Sequence, residues 1–356
     1  MQPVQASFYN KTRAARKIIV VDLGFLGDSV HLAPALHEIK RNYPSASLHT
    51  LSAPVGAEVL RLVPVVDRAW DFPLGPPSPS WWEHWGILRA LRQERFDLAF
   101  NFSGADRTLF IAALTGARWK VAYPGGRRHF WNGWLIPHWM SRQPRSIPVF
   151  EQRRQALAEC GLELQTPQFG LCIPEKDRKW AANNLAEGAV HVSINASHFM
   201  KEWPIRHWIE LCQALLLESP SLVIAATGSA RAREQERLQQ LTSGVANPRL
   251  RAMPAGLSVA QLASLLERCS LHMGADSGVV HLAMALSRPT ISMFREYSGM
   301  EEWLPQGTQH RHLTVPCSCM GQKAPSCLAS GEARCLADIT PAQVLQECRR
   351  SLALLK

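Results

Sequence analysis

The chain has 356 residues, of which 46% are hydrophobic and 19% charged, and this composition excludes a disordered or fibrous protein. Two domains are expected, since one hydrophobic core rarely organises more than about 250–300 residues. The 39 Lys and Arg against 29 Asp and Glu give a formal net charge of +10, which indicates an anionic partner such as a nucleotide, a nucleic acid or an acidic membrane. No apolar run reaches the ~18 residues of a spanning helix, and the first sixteen residues do not predict a signal peptide.

Strands and helices alternate along the first half. Residues 17–23 (KIIVVDL) form a continuous apolar run closed by Gly24, as in a buried parallel strand. From Asp28 to Lys40 the apolar residues recur at helical spacing, so a helix follows the glycine turn. The same reading predicts further strands at 46–52, 68–72 and 96–102 and helices at 56–62 and 80–93, with a loop at 75–80.

The alternation restarts after a proline-containing linker at 162–176. Strands are predicted at 189–195, 222–227, 270–274 and 290–293, and helices at 204–218, 230–241, 258–267 and 277–286. A last helix begins at Thr340-Pro341, a usual start signal, and is a candidate to pack back on the N-terminal domain. The fold class is therefore α/β, with two Rossmann-like doubly wound domains, 1–165 and 166–356, whose carboxyl strand ends face a central cleft.

The turn Gly24-Phe25-Leu26-Gly27-Asp28-Ser29 joins the first strand to its helix. Its glycines let the backbone approach a ligand closely. Asp28 has two interpretations, a helix N-cap favoured by the helix dipole or a catalytic carboxylate. The spacing does not match G-x-G-x-x-G, which argues against a dinucleotide site.

A second turn, Gly274-Ala275-Asp276-Ser277-Gly278-Val279-Val280-His281, closes a strand of the second half and opens a helix. Backbone N–H groups at Ser277 and Gly278, with the Ser277 hydroxyl, predict an anion site at the helix N-terminus. His281 is one turn further on, either as a phosphate contact or as a packed histidine. Lys201, in the polar loop before Pro204, is either a crevice cation or an ordinary solvated lysine.

Three segments resemble the heptosyltransferases, family 9 of the glycosyltransferases, and the resemblance covers nearly the whole chain. They are GDSVHLAPALHEIKRNYP, KEWPIRHW and GADSGVVHLAMALSRPTISMF. The resemblance implies a GT-B fold and an inverting, metal-independent transfer of heptose from ADP-L-glycero-D-manno-heptose, without a cofactor. It also implies an acceptor in the inner core of lipopolysaccharide, at the cytoplasmic face of the inner membrane.

The resemblance also implies roles for single residues. Asp28 resembles the general base, and Lys201 the lysine at the donor's phosphate and sugar. Ser197 takes the place of a threonine at the phosphates, and Asp276 resembles the residue that holds the heptose hydroxyls. These roles are physically consistent, because an inverting transfer needs one base, and without a metal the diphosphate charge must be met by cations and helix amides.

The remaining donor contacts implied by the resemblance surround the nucleotide. The pyrophosphate-binding turn corresponds to Ser277, Gly278 and His281. Leu257 falls where the family packs an apolar side chain on adenine. Glu234 is the candidate for the ribose contact, and Glu236 competes with it because the local spacing differs by two residues from the expected one.

A basic segment at 118–154 has eight Lys and Arg residues against Glu151 alone. The tryptophans Trp119, Trp131, Trp134 and Trp139 interleave with them. We expect a phosphorylated core saccharide as acceptor, with Arg127, Arg128 and Arg142 as its contacts, and an inner-membrane surface as a further partner. The same pattern is typical of RNA binding, although a nucleic-acid partner is not expected here.

The nine cysteines are unevenly placed, since the first 159 residues have none and Cys317, Cys319, Cys327 and Cys335 lie close together. A secreted disulfide framework would be stapled throughout, so a reducing cytoplasm fits better. The four cysteines are a metal knuckle or, as expected here, reduced structural thiols, because C-x-C is tight for tetrahedral ligation. Alternatives to the lipopolysaccharide enzyme are a relative that glycosylates a protein or uses another nucleotide sugar, an NAD-dependent dehydrogenase and a nucleic-acid-binding protein.

Overall fold

A computed structural model of the chain describes residues 2–3, 7–74, 80–124, 132–319, 327 and 330–353. The chain divides into two compact units, Met1–Cys172 and Ile173–Lys356, each built on its own sheet. Both sheets are parallel throughout, as the alternation of strands and helices predicts.

The first unit has a seven-stranded sheet in the order β1-β7-β6-β5-β2-β3-β4. Its strands are β1 (Gln2–Pro3), β2 (Lys17–Val21), β3 (Ser47–Ser52), β4 (Arg68–Asp71), β5 (Leu98–Asn101), β6 (Trp119–Ala122) and β7 (His138–Trp139). Its helices are α1 (Ser7–Thr12), α2 (Leu26–Asn42), α3 (Pro54–Leu60), α4 (Trp81–Gln93), α5 (Asp106–Leu114), α6 (Asn132–Leu135) and α7 (Val149–Glu159).

Two apolar clusters cover the two faces of this sheet. Ile18 and Val20 of β2 pack with Leu32 and Leu36 of α2 on one face, where α7 also lies against α2. Ile19 and its alternate neighbours on the strands join the inner residues of α4 and α5 on the other face. Since both faces are covered, the apolar residues Ile18, Ile19, Val20 and Val21 of β2 are all buried, and each of these side chains contributes about 1.5–3 kcal/mol to stability.

The second unit has a six-stranded sheet in the order β10-β9-β8-β11-β12-β13. Its strands are β8 (Ala189–Ser193), β9 (Ile224–Thr227), β10 (Leu250–Ala252), β11 (Cys269–Ala275), β12 (Thr290–Met293) and β13 (His310–Leu313). Its helices are α8 (Glu175–Asn184), α9 (Ile205–Glu218), α10 (Ala232–Val245), α11 (Val259–Arg268), α12 (Gly278–Ala285), α13 (Arg334–Ala337) and α14 (Pro341–Ala353), with 3-10 turns at Phe199–Lys201 and Met300–Trp303.

Most predicted elements are present, with ends that differ by a few residues. The first long helix begins at Leu26 rather than Asp28, because Gly27 and the residues after it are already helical. Thr340 caps α14 as predicted, and its hydroxyl accepts the Gln343 N–H at 3.3 Å. Within the second unit α14 packs on α9 and β11. Of the predicted loop at 75–80, residues 75–79 lie outside the described residues.

A row of buried polar side chains crosses the second sheet. His191, His272, Thr290 and His310 lie in register on four adjacent strands. The Nδ1 atoms of His191 and His272 are 2.8 Å apart, so one ring donates and the other accepts, and His191 Nε2 is 2.9 Å from the Thr227 hydroxyl. Burial lowers the pKa of His191 to about 3 and that of His310 to about 4, and it holds the pKa of His272 well below the usual value. The folded protein therefore keeps these rings neutral.

Acid should destabilise the fold through these histidines. The unfolded chain binds their protons near pH 6.5 and the folded chain does not, so stability is fully present above that pH and falls as the pH drops toward 4. For each histidine we expect the loss to steepen from about 0.7 kcal/mol per pH unit at pH 6.5 to about 1.4 kcal/mol per pH unit near pH 5. Urea unfolding at pH 7.0 and 5.5 measures it, and His310→Asn should flatten the pH dependence. An unchanged unfolding midpoint at the two pH values would contradict the expectation.

Candidate active site

The turn after β2 is closed tightly around Gly24. The Gly24 N–H donates to Asp22 Oδ1 at 3.0 Å. A Cβ atom at Gly24 would lie 2.3 Å from the Cβ of Asp28, well inside van der Waals contact. Only glycine therefore fits here, and the turn brings the backbone directly against the Asp28 side chain.

Asp28 occupies the third residue of α2, and the N-cap position belongs to Phe25. The interpretation of Asp28 as the N-cap residue is therefore wrong, because Asp28 lies three residues after the N-cap. Its carboxylate still satisfies the helix start, because Asp28 Oδ2 accepts the Phe25 N–H at 2.8 Å. The side chain is half-buried at the carboxyl end of β2. The carboxylate keeps acceptor capacity beyond this bond, so capping and proton transfer are compatible.

Two buried charges set the electrostatics of Asp28. Burial and the neighbouring Asp22 raise the pKa of the Asp28 carboxyl, while Arg153 opposes the rise. Arg153 Nη2 lies 2.5 Å from Asp22 Oδ2, and both side chains are buried. Arg153 also donates through Nη1 to the Asp28 carbonyl oxygen. A carboxylate whose pKa is raised toward the working pH is a better proton acceptor, so these surroundings are compatible with the predicted role of Asp28 as a base, which stays a prediction.

Breaking this ion pair from either side should move the pH profile in opposite directions. Asp22→Asn removes the like charge and leaves Arg153 to favour ionised Asp28, so we expect the acid limb of kcat/KM to move down by about one pH unit. Arg153→Met removes the opposing cation, so the limb should move up. Each variant leaves a buried charge unpaired and should lose stability. Because this loss is common to both variants, each serves as the control for the other when their pH profiles are compared. Acid limbs that coincide in the two variants would contradict a role for Asp28 as the titrating group.

At the second turn, Ser277 is in the N-cap position of α12, and Gly278 is the first residue of that helix. The Ser277 side chain makes no capping bond, and its hydroxyl oxygen is buried without a hydrogen-bond partner among the described residues. A buried hydroxyl without a partner is costly, at about 1–3 kcal/mol. Together with the free N–H groups that begin a helix, it forms a site that an anion would complete.

Lys201 and Asp276 meet beside this helix start. Lys201 Nζ is 2.8 Å from Asp276 Oδ2, and Asp276 is buried while Lys201 is about one third exposed. The Tyr297 hydroxyl donates to the same carboxylate oxygen at 3.3 Å, and its ring centroid is 5.6 Å from Lys201 Nζ. The structure thus brings two predicted donor residues together and adds Tyr297, for which the sequence contains no local signal.

Glu202 holds the loop that carries Lys201. This buried carboxylate accepts the Ala196 N–H at 3.1 Å and the Arg233 Nη1 at 2.9 Å. Arg237 contacts it at 3.5 Å and donates to the Asn195 side-chain oxygen at 3.1 Å. The loop between Asn195 and Lys201 is therefore fixed by an ion-pair network, which the sequence analysis did not find.

The other predicted donor residues have varied surroundings. Ser197 is exposed on the same loop. His281 is buried with its ring 5.6 Å from that of Trp303, and burial lowers its pKa to about 4, so it is neutral in the folded protein. A neutral imidazole still offers one N–H donor to a phosphate oxygen. Its contact with the donor stays a prediction.

Glu234 and Leu257 lie at helix starts of the second unit. Glu234 Oε2 accepts the Ser229 N–H at 2.8 Å and so orders the loop before α10, whereas Glu236 is exposed. Leu257 is half-buried beside the cluster under α11 and precedes the N-cap Ser258. Both Glu234 and Leu257 remain predicted nucleotide contacts.

The basic segment at 118–154 divides into different environments. Arg153 and Arg154 are buried, and Arg154 pairs with Glu38 at 3.1 Å, so these two charges serve internal ion pairs. Arg142 is exposed and donates to the Pro124 carbonyl oxygen at 3.2 Å. The predicted contacts Arg127 and Arg128 lie outside the described residues.

The cysteines near the C-terminus form two close pairs. Cys319 Sγ is 3.8 Å from Cys327 Sγ, and burial together with the adjacent Cys317 raises the pKa of Cys335 to about 11. These four cysteines are thiols and are not joined by disulfides. In the part of the chain that the structure describes, no three His, Cys, Asp or Glu side chains are gathered as metal ligands. Reduced structural thiols remain the prediction.

Comparison with known proteins places these features in a family context. The sequence profile of glycosyltransferase family 9 (heptosyltransferase) matches residues 84–331. Lipopolysaccharide heptosyltransferase 2 of Escherichia coli K12 is 22% identical over 344 residues, which cover 93% of this chain and 97% of the relative. Lipopolysaccharide heptosyltransferase 1 of Pseudomonas aeruginosa is 26% identical over 303 residues, covering 78% of each.

Solved structures show the same fold. The E. coli ADP-heptose lipopolysaccharide heptosyltransferase II matches with a TM-score of 0.75 and 21% identity, over 95% of this chain and 99% of that one. E. coli heptosyltransferase WaaC with ADP matches with a TM-score of 0.70 and 18% identity, over 95% and 98%. These likenesses confirm the predicted α/β GT-B fold.

Proposed function

The chain belongs to glycosyltransferase family 9, the heptosyltransferases, and on that premise we propose that it transfers heptose from ADP-L-glycero-D-manno-heptose to the inner core of lipopolysaccharide. Relatives that match over more than nine tenths of the chain are lipopolysaccharide heptosyltransferases, which supports this donor and acceptor. Membership of a glycosyltransferase family argues against the alternative of an NAD-dependent dehydrogenase. The observation that carries the proposal is the Lys201–Asp276 pair beside the Ser277 hydroxyl, which is buried without a described partner.

The second unit is suited to hold the donor. The N–H groups at the start of α12, the Ser277 hydroxyl and the Lys201 ammonium would bind the diphosphate, whose charge grows as the bond to the sugar breaks. Asp276 would accept hydrogen bonds from the heptose hydroxyls while Lys201 and Tyr297 hold its carboxylate in place. Because these groups supply positive charge and N–H donors, we propose that the transfer needs no divalent metal.

The first unit supplies the base in this proposal. Asp28 takes the proton of the acceptor hydroxyl, the acceptor oxygen forms a bond to the anomeric carbon, and ADP leaves with the electron pair of the broken bond. One displacement of this kind inverts the anomeric configuration. The raised pKa of Asp28 supports this role, since a stronger base accepts the proton more readily.

The acceptor is proposed to be phosphorylated, with Arg127, Arg128 and Arg142 as its contacts. Arginine binds phosphate oxygens through paired N–H donors, and the exposed Arg142 has such donors beyond its bond to Pro124. A dephosphorylated acceptor should then have a higher KM at unchanged kcat. Equal KM values for the phosphorylated and dephosphorylated acceptors would show that these arginines do not bind a phosphate of the acceptor.

Incubation of the purified protein with ADP-heptose and a lipopolysaccharide core acceptor tests the function. We expect the mass spectrum of the acceptor to gain one heptose residue, equally with and without EDTA, and proton NMR to show the inverted anomer. Transfer from another nucleotide sugar alone would overturn the donor. Loss of transfer in EDTA would overturn metal independence, and a protein acceptor would favour the alternative relative.

A further inference from the structure

The outer face of three helices in the first unit exposes large apolar side chains. Helices α4, α5 and α6 lie in contact on one face of the sheet, with their inner residues in the apolar cluster around Ile19. Five of the eight exposed large hydrophobic side chains of the described residues point outward from these helices. They are Trp82 at 65% exposure, Trp85 at 58%, Phe110 at 43%, Leu114 at 42% and Trp134 at 87%. We call these five residues the α4–α6 apolar face.

The spacing of these residues makes continuous stripes. On α4, Trp82 and Trp85 are followed by the exposed Arg89 and Arg92 at intervals of three or four residues. On α5, Arg107, Phe110 and Leu114 have the same spacing. A single exposed apolar residue needs no explanation, but aromatic side chains aligned on adjacent helices indicate a contact surface.

The charges beside the apolar face are mainly positive. Arg89, Arg92 and Arg107 are exposed on α4 and α5. Burial and the charge of Arg92 lower the pKa of Lys120, so these two cations are close enough to repel each other. Two acids are also exposed at the helix starts: Glu83 of α4, whose carboxylate accepts bonds from Ser80, and Asp106 of α5. An anionic partner would relieve the repulsion between the crowded cations.

We propose that the α4–α6 apolar face rests on an anionic lipid bilayer, with the tryptophans at headgroup level and the arginines on lipid phosphates. Tryptophan and arginine suit this interface because each combines an apolar body with a polar group that stays hydrated. The choice of a lipid surface over a protein surface rests on the proposed function, whose acceptor is anchored in a membrane. Among the described residues no helix is both long and apolar enough to span a bilayer.

The proposed contact lies at the functional edge of the first sheet. Helices α4, α5 and α6 each follow a strand, so they begin at the carboxyl edge of the sheet, as α2 does with Asp28. Trp82, Trp85 and Trp134 are near these helix starts. Seating this face on the bilayer would bring the edge that carries Asp28 toward membrane-anchored acceptors.

Cosedimentation with vesicles tests the proposal. Wild-type protein should bind phosphatidylcholine vesicles that contain phosphatidylglycerol, bind pure phosphatidylcholine weakly, and lose binding in high salt. The combined variant Trp82→Ala, Trp85→Ala, Trp134→Ala should bind anionic vesicles at least about tenfold more weakly. Leu217→Ala on α9 is the matched control, because Leu217 is 84% exposed in the second unit, and it should bind as wild type does.

Other outcomes overturn the proposal. Equal vesicle binding by the triple variant and wild type would show that the α4–α6 apolar face does not contact the bilayer. A lack of vesicle binding by wild type would show that the protein does not bind such a bilayer. A wild-type dimer that the triple variant converts to a monomer, without a change in vesicle binding, would assign the face to a second copy. Turnover of a delipidated acceptor distinguishes the membrane contact from the proposed function. The triple variant should turn over this acceptor as wild type does. If wild type binds vesicles but does not turn over the acceptor, the proposed function is overturned and the membrane contact is not.

Discussion

Asp28→Asn should lower kcat by about 10²–10⁴-fold, because the amide cannot take the proton of the acceptor hydroxyl. Asparagine keeps an oxygen in the place of Asp28 Oδ2, so it can still accept the Phe25 N–H and preserve the start of α2. Initial rates with saturating donor and acceptor measure the loss. ADP affinity, measured by calorimetry, should be unchanged, because the nucleotide contacts are proposed for the second unit.

The comparison with Asp28→Ala separates chemistry from structure. Alanine removes both the base and the bond to the Phe25 N–H, so it should lose the same activity and also some stability, about 0.5–2 kcal/mol. If Asp28→Asn keeps wild-type kcat, Asp28 is only a helix-start residue. If the asparagine variant loses ADP binding as well, the loss of activity does not identify a base.

Lys201→Ala should raise the donor KM by about 10–100-fold and lower kcat as well, because a charge-assisted bond to the diphosphate is worth about 1.5–3 kcal/mol and strengthens as ADP leaves. The change also leaves the buried Asp276 carboxylate with Tyr297 as its described hydrogen-bond donor, so the sugar contact loses order. Steady-state kinetics with varied ADP-heptose measures both effects.

Two further variants serve as controls for Lys201→Ala. Lys201→Arg keeps the positive charge and should recover part of the donor affinity, although its planar group does not reproduce the geometry of the ammonium. Lys179→Ala removes an exposed lysine of α8 and should leave both kinetic constants unchanged. If Lys201→Ala behaves as Lys179→Ala does, the ion pair with Asp276 is structural and the diphosphate is bound elsewhere.

The parts of the site that the sequence predicts are those formed by neighbours along the chain. Gly24 and Asp28 are four residues apart, and the turn between a strand and a helix brings them together. Ser277 and Gly278 begin α12 directly after β11, so their backbone N–H groups face one end of the sheet by geometry alone. Such short-range relations follow from periodicity and from glycine positions.

The contacts that set the electrostatics of the site are long-range, and no local pattern predicts them. Asp22 and Arg153 are 131 residues apart in sequence, and only the packing of α7 on α2 joins them. For the same reason the count of eight basic residues in 118–154 includes Arg153 and Arg154, although both lie in buried ion pairs, because a count of charged residues does not show their partners. Tyr297 reaches Asp276 from the loop after β12, where the sequence contains no motif.

A crystal structure of the protein with bound ADP-heptose tests the proposed donor site. We expect the diphosphate at the start of α12, with a phosphate oxygen within hydrogen-bond distance of the Ser277 hydroxyl and of the Lys201 ammonium, and the heptose hydroxyls on Asp276. A diphosphate bound away from Ser277 and Lys201 would show that the second unit does not hold the donor as proposed.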